Sequence, residues 1–381
     1  MDDFIEFGSP LLKKEELNEL IATVKSGWIG TGPKVSKFEK NFSKYKNIKY
    51  SIAVSSCTSA LHLSLITLGI GPGDEVITSA MTFCSTINSI IHVGAQPVLV
   101  DIDINTGNID HTKIENAITK KTKAIIPVHF SGYPCQMDKI ITIINRHNLY
   151  LIEDCAHAIE SEFNNKKTGT FGDFGCFSFY VTKNLVTGEG GMVICKKKSQ
   201  YKYIKELSLH GMSMDAWSRF LNKGYKHYKI SKPGYKYNMT DIQASLGIHQ
   251  LNKINKNWNI RKKYWIKYYK ELKNLPIKLQ KFPEKNIKHA FHLFTLRLNK
   301  KKYGKNRDDL IKYLNKKNIG VGVHYVSIPE HPYYKKKYKW DPNKYPSAYQ
   351  WGKETISLPL SPKLKIKEQN KIIKELKLFF I

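Results

Sequence analysis

Arginine is scarce in this chain, and acidic residues are few beside the basic ones: 32 against 62, for a formal charge of +30. The excess is almost all lysine, scattered among abundant asparagine and isoleucine, a pattern of AT-rich codon usage. With so little arginine, whose planar fork suits bidentate contact with bases and phosphates, the charge argues against a dedicated nucleic-acid-binding role. It still favours anionic substrates. No run approaches the roughly eighteen uncharged apolar residues that a membrane-spanning helix needs. The opening Met1-Asp2-Asp3-Phe4-Ile5 is acidic and lacks the apolar core of a secretory signal. The six cysteines, at 57, 84, 135, 155, 176 and 195, form no pair with metal-ligand spacing, so no zinc or other metal site is expected. Reduced thiols in a soluble, cytoplasmic protein are the expectation.

At 381 residues with 41% apolar composition, the chain can bury a sizeable core and exceeds the usual single domain. A large domain over 1–255 and a smaller α+β domain over 256–381 are expected. Short apolar runs at 51–54, 75–78, 96–101, 124–129 and 150–154 alternate with helical patterns. These include Lys14 to Lys25, with Leu17, Leu20, Ile21 and Val24 on one face, and Ile109 to Ile118. Such alternation predicts an α/β fold, a mostly parallel sheet with helices on both faces. Toward the carboxyl end, 292–298 and 321–325 read as strands, and Arg307 to Lys316 and Lys367 to Leu378 as helices.

The most informative stretch runs from Tyr150 to Cys195. Tyr150-Leu151-Ile152-Glu153-Asp154 is an apolar run ending in carboxylates at the strand's carboxyl end, the edge where open α/β sheets bind ligands. Cys176-Phe177-Ser178-Phe179-Tyr180 follows, then Lys183 and the turn Gly188-Glu189-Gly190-Gly191. A lysine between two apolar strands, with an aspartate at the sheet edge, fits a pyridoxal-phosphate site. Lys183 would bond to the cofactor aldehyde, and Asp154 would keep the pyridine nitrogen protonated. A strand-end cap and a loop lysine would give the same letters. Upstream, Ser55-Ser56-Cys57-Thr58-Ser59 lies at a strand-to-helix turn, where free amides and hydroxyls suit a phosphate; a plain N-cap at Ser56 or Thr58 fits as well.

Glu153-Asp154-Cys155-Ala156-His157, Phe177-Ser178-Phe179 with Lys183-Asn184, and Gly188-Glu189-Gly190-Gly191 closely resemble the DegT/DnrJ/EryC1/StrS family of nucleotide-sugar aminotransferases. The likeness extends from about Leu12 to Leu360. It implies the type I fold of pyridoxal-phosphate aminotransferases: a mostly parallel seven-stranded sheet with helices on both faces, and a smaller C-terminal domain. It also implies roles for single residues. Lys183 would hold the cofactor, where relatives with histidine are sugar dehydratases. Asp154 would face the ring nitrogen, His157 the ring hydroxyl, and Phe83 would stack on the ring. Thr58, Ser59 and Ser178 would hold the phosphate, and Asn238 would reach the phosphate of the other subunit in a homodimer. His324 and Tyr325 would lie near the sugar nucleotide. The implied reaction moves an amino group, with glutamate as donor, to a nucleotide-linked keto sugar. Ser55-Ser56, His157 and Gly234-Tyr235-Lys236-Tyr237-Asn238 favour the branch acting at C4 of a UDP-4-keto sugar over one acting at C3 of a dTDP-linked sugar. A dehydratase and a non-catalytic regulator share the same fold.

Overall fold

A computed structural model describes residues 4–213, 229–299 and 303–381. The strands of the first half are, in chain order, β1 (Tyr50–Val54), β2 (Glu75–Ser79), β3 (Gln96–Val100), β4 (Thr122–Ile126), β5 (Tyr150–Asp154), the short hairpin β6 (Glu162–Phe163) and β7 (Lys166–Lys167), β8 (Phe174–Ser178) and β9 (Gly191–Cys195). Seven of them make one sheet in the order β1-β9-β8-β5-β4-β2-β3. Only β9 runs against its neighbours; the other pairings are parallel. Alternate residues of β1 go to opposite cores. Ile52 and Val54 pack with Ala60 and Leu61 of the helix Cys57–Thr67, whereas Ala53 packs with Val35, Phe38 and Phe42 of the helix Pro33–Lys46. Strands buried on both faces cannot alternate polar and apolar residues, which is why they read as continuous apolar runs.

Register decides what meets at the carboxyl edge. Val54 pairs with Gly191, and Gly191 pairs with Ser178; one row below, Cys176 pairs with Asp154. The ends of β1, β8 and β5 therefore bring the serine-rich turn, Ser178 and Asp154 to one rim. Gly191 permits the close approach. A Cβ there would stand 2.4 Å from the carbonyl carbon of Ser56 and 2.7 Å from the amide nitrogen of Cys57.

Glu153, buried beside Asp154, clamps the loop that leads into β8. Its carboxylate accepts from the amides of Gly169 (2.7 Å), Phe171 (2.7 Å) and Gly172 (2.9 Å) and lies 3.1 Å from His129 Nε2. His129 Nδ1 accepts from the Cys135 amide at 3.1 Å, so the proton of the neutral ring sits on Nε2 and points at Glu153. Burial opposes the charge, but these donors outweigh it and hold the carboxyl below its ordinary range.

The second core belongs to the C-terminal part. There β10 (Lys278–Leu279), β12 (Phe294–Arg297) and β13 (Thr355–Leu358) form an antiparallel sheet, while β11 (Ile287–Lys288) pairs back onto β6. Helices Ile254–Leu272, Arg307–Lys316 and Ile366–Phe379 cover that sheet and supply Trp265, Tyr268, Leu314 and Ile372 to its core. Ile5 joins this core too, pinned by backbone bonds of 2.8 Å to Asn318 and from Gly320.

Three expectations need correction. The segment 109–118 is not one helix but two 3₁₀ turns, His111–Lys113 and Glu115–Ala117. Ile109 is drawn into a bridge with Ile102, and Ile118 turns extended, leaving room for little else. The segment 321–325 is not a strand. Only Gly322 pairs, with Ser357. Beyond it side-chain bonds replace the ladder: the His324 carbonyl accepts from Trp351 Nε1 at 3.1 Å and Thr355 Oγ1 at 3.3 Å, and its ring lies 2.9 Å from Ser357 Oγ. The helix Lys14–Lys25 forms as expected, yet Leu17, Ile21 and Val24 are about half exposed, at 49%, 52% and 55%. What docks it is polar, the buried Glu16 gripped by Gln250 and Lys253. The stretch from Lys197 to about Leu221 reads in the sequence as helix and then loop; the helix is Lys198–Leu207, and the part past 213 lies outside the described residues.

Replacing Gly191 with alanine is expected to cost about 1–3 kcal/mol, the usual range for forcing an extra methyl into a packed site. It should also loosen the serine turn. Urea denaturation should show a lower midpoint, and titration with pyridoxal phosphate a weaker affinity; an unchanged midpoint would refute the close-packing argument.

Candidate active site

The serine-rich turn is built as an anion cradle. Ser56 is the N-cap of the helix Cys57–Thr67, and its Oγ accepts from the Ser59 amide at 3.0 Å. Ser59 Oγ lies 2.9 Å from both Ser55 Oγ and Ser56 Oγ. Thr58, half-buried, stands in the first helical turn beside them. Free amides, the positive end of the helix dipole and a cluster of hydroxyls together can receive a phosphate. Ser178 closes the row at the end of β8, half-buried.

Asp154 is 3% exposed. Its Oδ1 accepts from the Ala156 amide at 3.1 Å and its Oδ2 from Thr86 Oγ1 at 2.9 Å. Burial raises its pKa, while those bonds and the charge of Lys183 work the other way. Lys183 sits in the loop after β8, its amide bonded to the Tyr180 carbonyl at 2.8 Å. Burial brings its ammonium down to about 8, although Cys57 and Asp154 oppose the shift. The charge of each group bears on the other. No salt bridge compensates Asp154 among the described residues, and a protonated heterocyclic nitrogen would supply the missing cation. A buried carboxylate, an amine of lowered pKa and a phosphate cradle on one rim fit pyridoxal phosphate.

Aromatic rings surround these groups. His157 is buried, with Nε2 3.0 Å from Tyr325 Oη. His324 stands 4.9 Å from Tyr325, centroid to centroid, and 6.5 Å from His157. Phe83, the N-cap of the helix Cys84–His92, is 55% exposed and so not a core residue; its ring is 5.8 Å from that of Tyr325. The rings of Phe83, His157, His324 and Tyr325 thus form one cluster, the charge of Lys183 bears on both histidines and that of Asp154 on Tyr325, and Thr58, Ser59 and Ser178 lie along the rim. Asn238 bridges Val54 at the end of β1, beside the serine turn. Its Nδ2 donates to Thr31 Oγ1 at 2.6 Å, and its buried Oδ1 has no partner among the described residues.

Thr86, Asn184, His292 and Phe7 were not legible as site residues. Phe7 stacks on His324 at 5.4 Å, the His292 ring lies tilted against His157 at 4.4 Å, and Asn184 bonds His292. Asn184 follows the lysine directly, which could have drawn attention to it. The other three carry no local signal, because tertiary contacts alone bring them in.

A sequence model of the DegT/DnrJ/EryC1/StrS aminotransferase family matches residues 10–377. The chain is 44% identical over 362 residues to the spore coat polysaccharide biosynthesis protein SpsC of Bacillus subtilis, covering 95% of this chain and 93% of that one. Spr1654 of Streptococcus pneumoniae, assigned as a sugar aminotransferase, superposes in its PMP form with a TM-score of 0.93 at 34% identity over 99% of both chains. Its PLP form gives a TM-score of 0.92. Helicobacter pylori PseC, an aminotransferase of pseudoaminic acid biosynthesis, gives 0.91 at 26% identity over 99% of both chains. The pocket and these likenesses agree: the chain belongs to the DegT/DnrJ/EryC1/StrS aminotransferase family and is a pyridoxal-phosphate-dependent sugar aminotransferase.

Proposed function

We propose that the enzyme takes an amino group from glutamate and delivers it to C4 of a UDP-linked 4-keto sugar, for a surface polysaccharide or glycan. The observation that carries the reading is the buried Asp154 at the end of β5, on the same rim as the hydroxyl-lined helix start at Ser55 to Ser59, with the charge of Lys183 bearing on it. For C4 and UDP, the support is the pattern Ser55-Ser56, His157 and Gly234 to Asn238. PseC, named for pseudoaminic acid biosynthesis, and SpsC, named for spore coat polysaccharide biosynthesis, support the biosynthetic setting.

Pyridoxal phosphate, when bound, supplies an electron sink that makes loss of a proton from the amine-bearing carbon feasible. The chain's residues do the rest. Thr58, Ser59 and Ser178 hold the phosphate, and Phe83 and His157 orient the ring. Asp154 keeps the ring nitrogen charged, because a buried carboxylate favours a cation beside it. Lys183 Nζ would hold the cofactor. As a neutral amine, Lys183 could also serve as the base that takes a proton from the amine-bearing carbon and returns it nearby. His324 and Tyr325 face the sugar. Asn238 completes the site of a second copy in a homodimer.

Several outcomes test this. Glutamate alone should convert the absorption of the loaded enzyme from the lysine-bound to the amine form. A panel of UDP- and dTDP-linked keto sugars should restore it fastest with a UDP-4-keto sugar; no conversion by glutamate would point to a dehydratase or a regulator. Lys183→Ala should lower turnover by at least about 10²–10⁴-fold, the range a positioned base supplies, while keeping some phosphate-anchored cofactor. Asp154→Asn should still load cofactor and lose about 10²–10³-fold in turnover, as when a single electrostatic partner is removed from a reacting centre. Covalent loading needs the neutral amine of Lys183, so below a pKa of about 8 its rate should fall about tenfold per pH unit and level off above it. Stopped-flow absorbance would show this; a flat profile down to pH about 6 would contradict it.

A further inference from the structure

Four side chains that the reading above leaves unused, three of them buried and Asn184 half-buried, form one connected line. Arg261 is ion-paired with Glu160 in the interior. Glu160 Oε2 accepts from Asn184 Nδ2 at 2.8 Å, and the same amide donates to the Ala290 carbonyl at 3.1 Å. Two acceptors on the NH₂ side fix the amide's orientation, so Asn184 Oδ1 must be the acceptor toward His292 Nδ1, 3.0 Å away. That places the proton of His292 on Nδ1.

His292 then lies against His157, with ring centroids 4.4 Å apart at an interplanar angle of 36°. The same segment holds the other contact that His157 makes. Ser131 is tied to it three times: its carbonyl accepts from the amides of His292 (3.2 Å) and Leu293 (3.4 Å), and its hydroxyl donates to the Leu293 carbonyl (3.1 Å). The Ser131 amide donates to His157 Nδ1 at 3.2 Å. A backbone N–H cannot accept, so neutral His157 carries its proton on Nε2 and gives it to Tyr325 Oη at 3.0 Å. The Tyr325 oxygen is an acceptor in that bond, and its own hydrogen is left for another partner.

We propose that His292 is a positioning residue: with Asn184 and Ser131 it locks His157 in its Nε2–H form, and so makes Tyr325 a hydrogen-bond donor to an oxygen of the bound ligand. The polarity runs one way, from the Ser131 amide through His157 to the Tyr325 hydroxyl. The groups whose charges bear on His157 are Lys183, His292 and His324, and with burial they keep the ring neutral; burial likewise keeps Tyr325 protonated. The acceptor is a carbonyl or hydroxyl oxygen, of the sugar or of the cofactor ring. The proposal rests on the amino-transfer reading only for what the ligand is.

The test uses the full-length, cofactor-loaded enzyme labelled with ¹⁵N-histidine, with the His157 signals identified by their loss in His157→Gln. The wild type should show Nδ1 bare, Nε2 protonated, and no titration across the neutral range. In His292→Ala the signals should become those of mixed tautomers. His292→Phe, which keeps the ring contact, and His292→Asn, which keeps a donor to Asn184, should each restore part of the wild-type pattern. Turnover in His292→Ala should fall about 10–100-fold, the loss usual when a group orienting a functional histidine is removed. Tyr325→Phe locates the acceptor. A higher KM for the sugar with unchanged cofactor affinity assigns a sugar oxygen; weaker cofactor binding assigns the ring hydroxyl; no change in either overturns the donor role. A wild-type His157 protonated on Nδ1, or a tautomer untouched by His292→Ala, overturns the relay. A wild type with the expected signals that glutamate fails to convert would instead refute amino transfer and leave the relay standing.

Discussion

The site depends on one electrostatic arrangement: a buried carboxylate and a half-buried amine whose charges act on each other near the carboxyl rim of a sheet. Burial drives both toward their neutral forms, raising Asp154 and lowering Lys183. Asp154 keeps donors in the Ala156 amide and Thr86; for Lys183, burial outweighs the opposing influence of Cys57 and Asp154 and favours the neutral amine. A lysine on the surface of so basic a chain would stay an ammonium ion in the neutral range and could neither attack an aldehyde nor remove a proton.

The rest of the large sheet holds that arrangement still. Strand β5 carries two consecutive carboxylates facing opposite ways, and their fates differ because their donors do. Glu153 is saturated by three loop amides and His129, so it is a structural anion that anchors the approach to β8. Asp154 has fewer donors and retains capacity for a ligand. Ser178 and the turn at 55–59 align with it through the pairing of β1, β9 and β8, and Gly191 lets those strands come close enough.

Much of this was legible in the sequence because local pattern and register did the work. The strand ending in Asp154, the helix start after Ser56 and the lysine loop with its glycine turn are local features. They lie where short apolar runs and small residues indicate. Other parts were not legible. The stretch 321–325 alternates like a strand, yet side-chain bonds to the His324 carbonyl and ring take it out of the ladder and deliver His324 and Tyr325 to the pocket. Leu17, Ile21 and Val24 look like a core-facing stripe, but the buried Glu16 network docks that helix on another face. His292 matters only through partners that lie more than a hundred residues away in sequence.

The central claim is that a single amine, among the many lysines of this chain, forms the bond to the cofactor opposite Asp154. Borohydride reduction of the loaded enzyme, followed by peptide mass mapping, tests it most directly. The account predicts a phosphopyridoxyl group on Lys183, with labelling lost in Lys183→Ala. A label on another lysine, or spread over many, would contradict it.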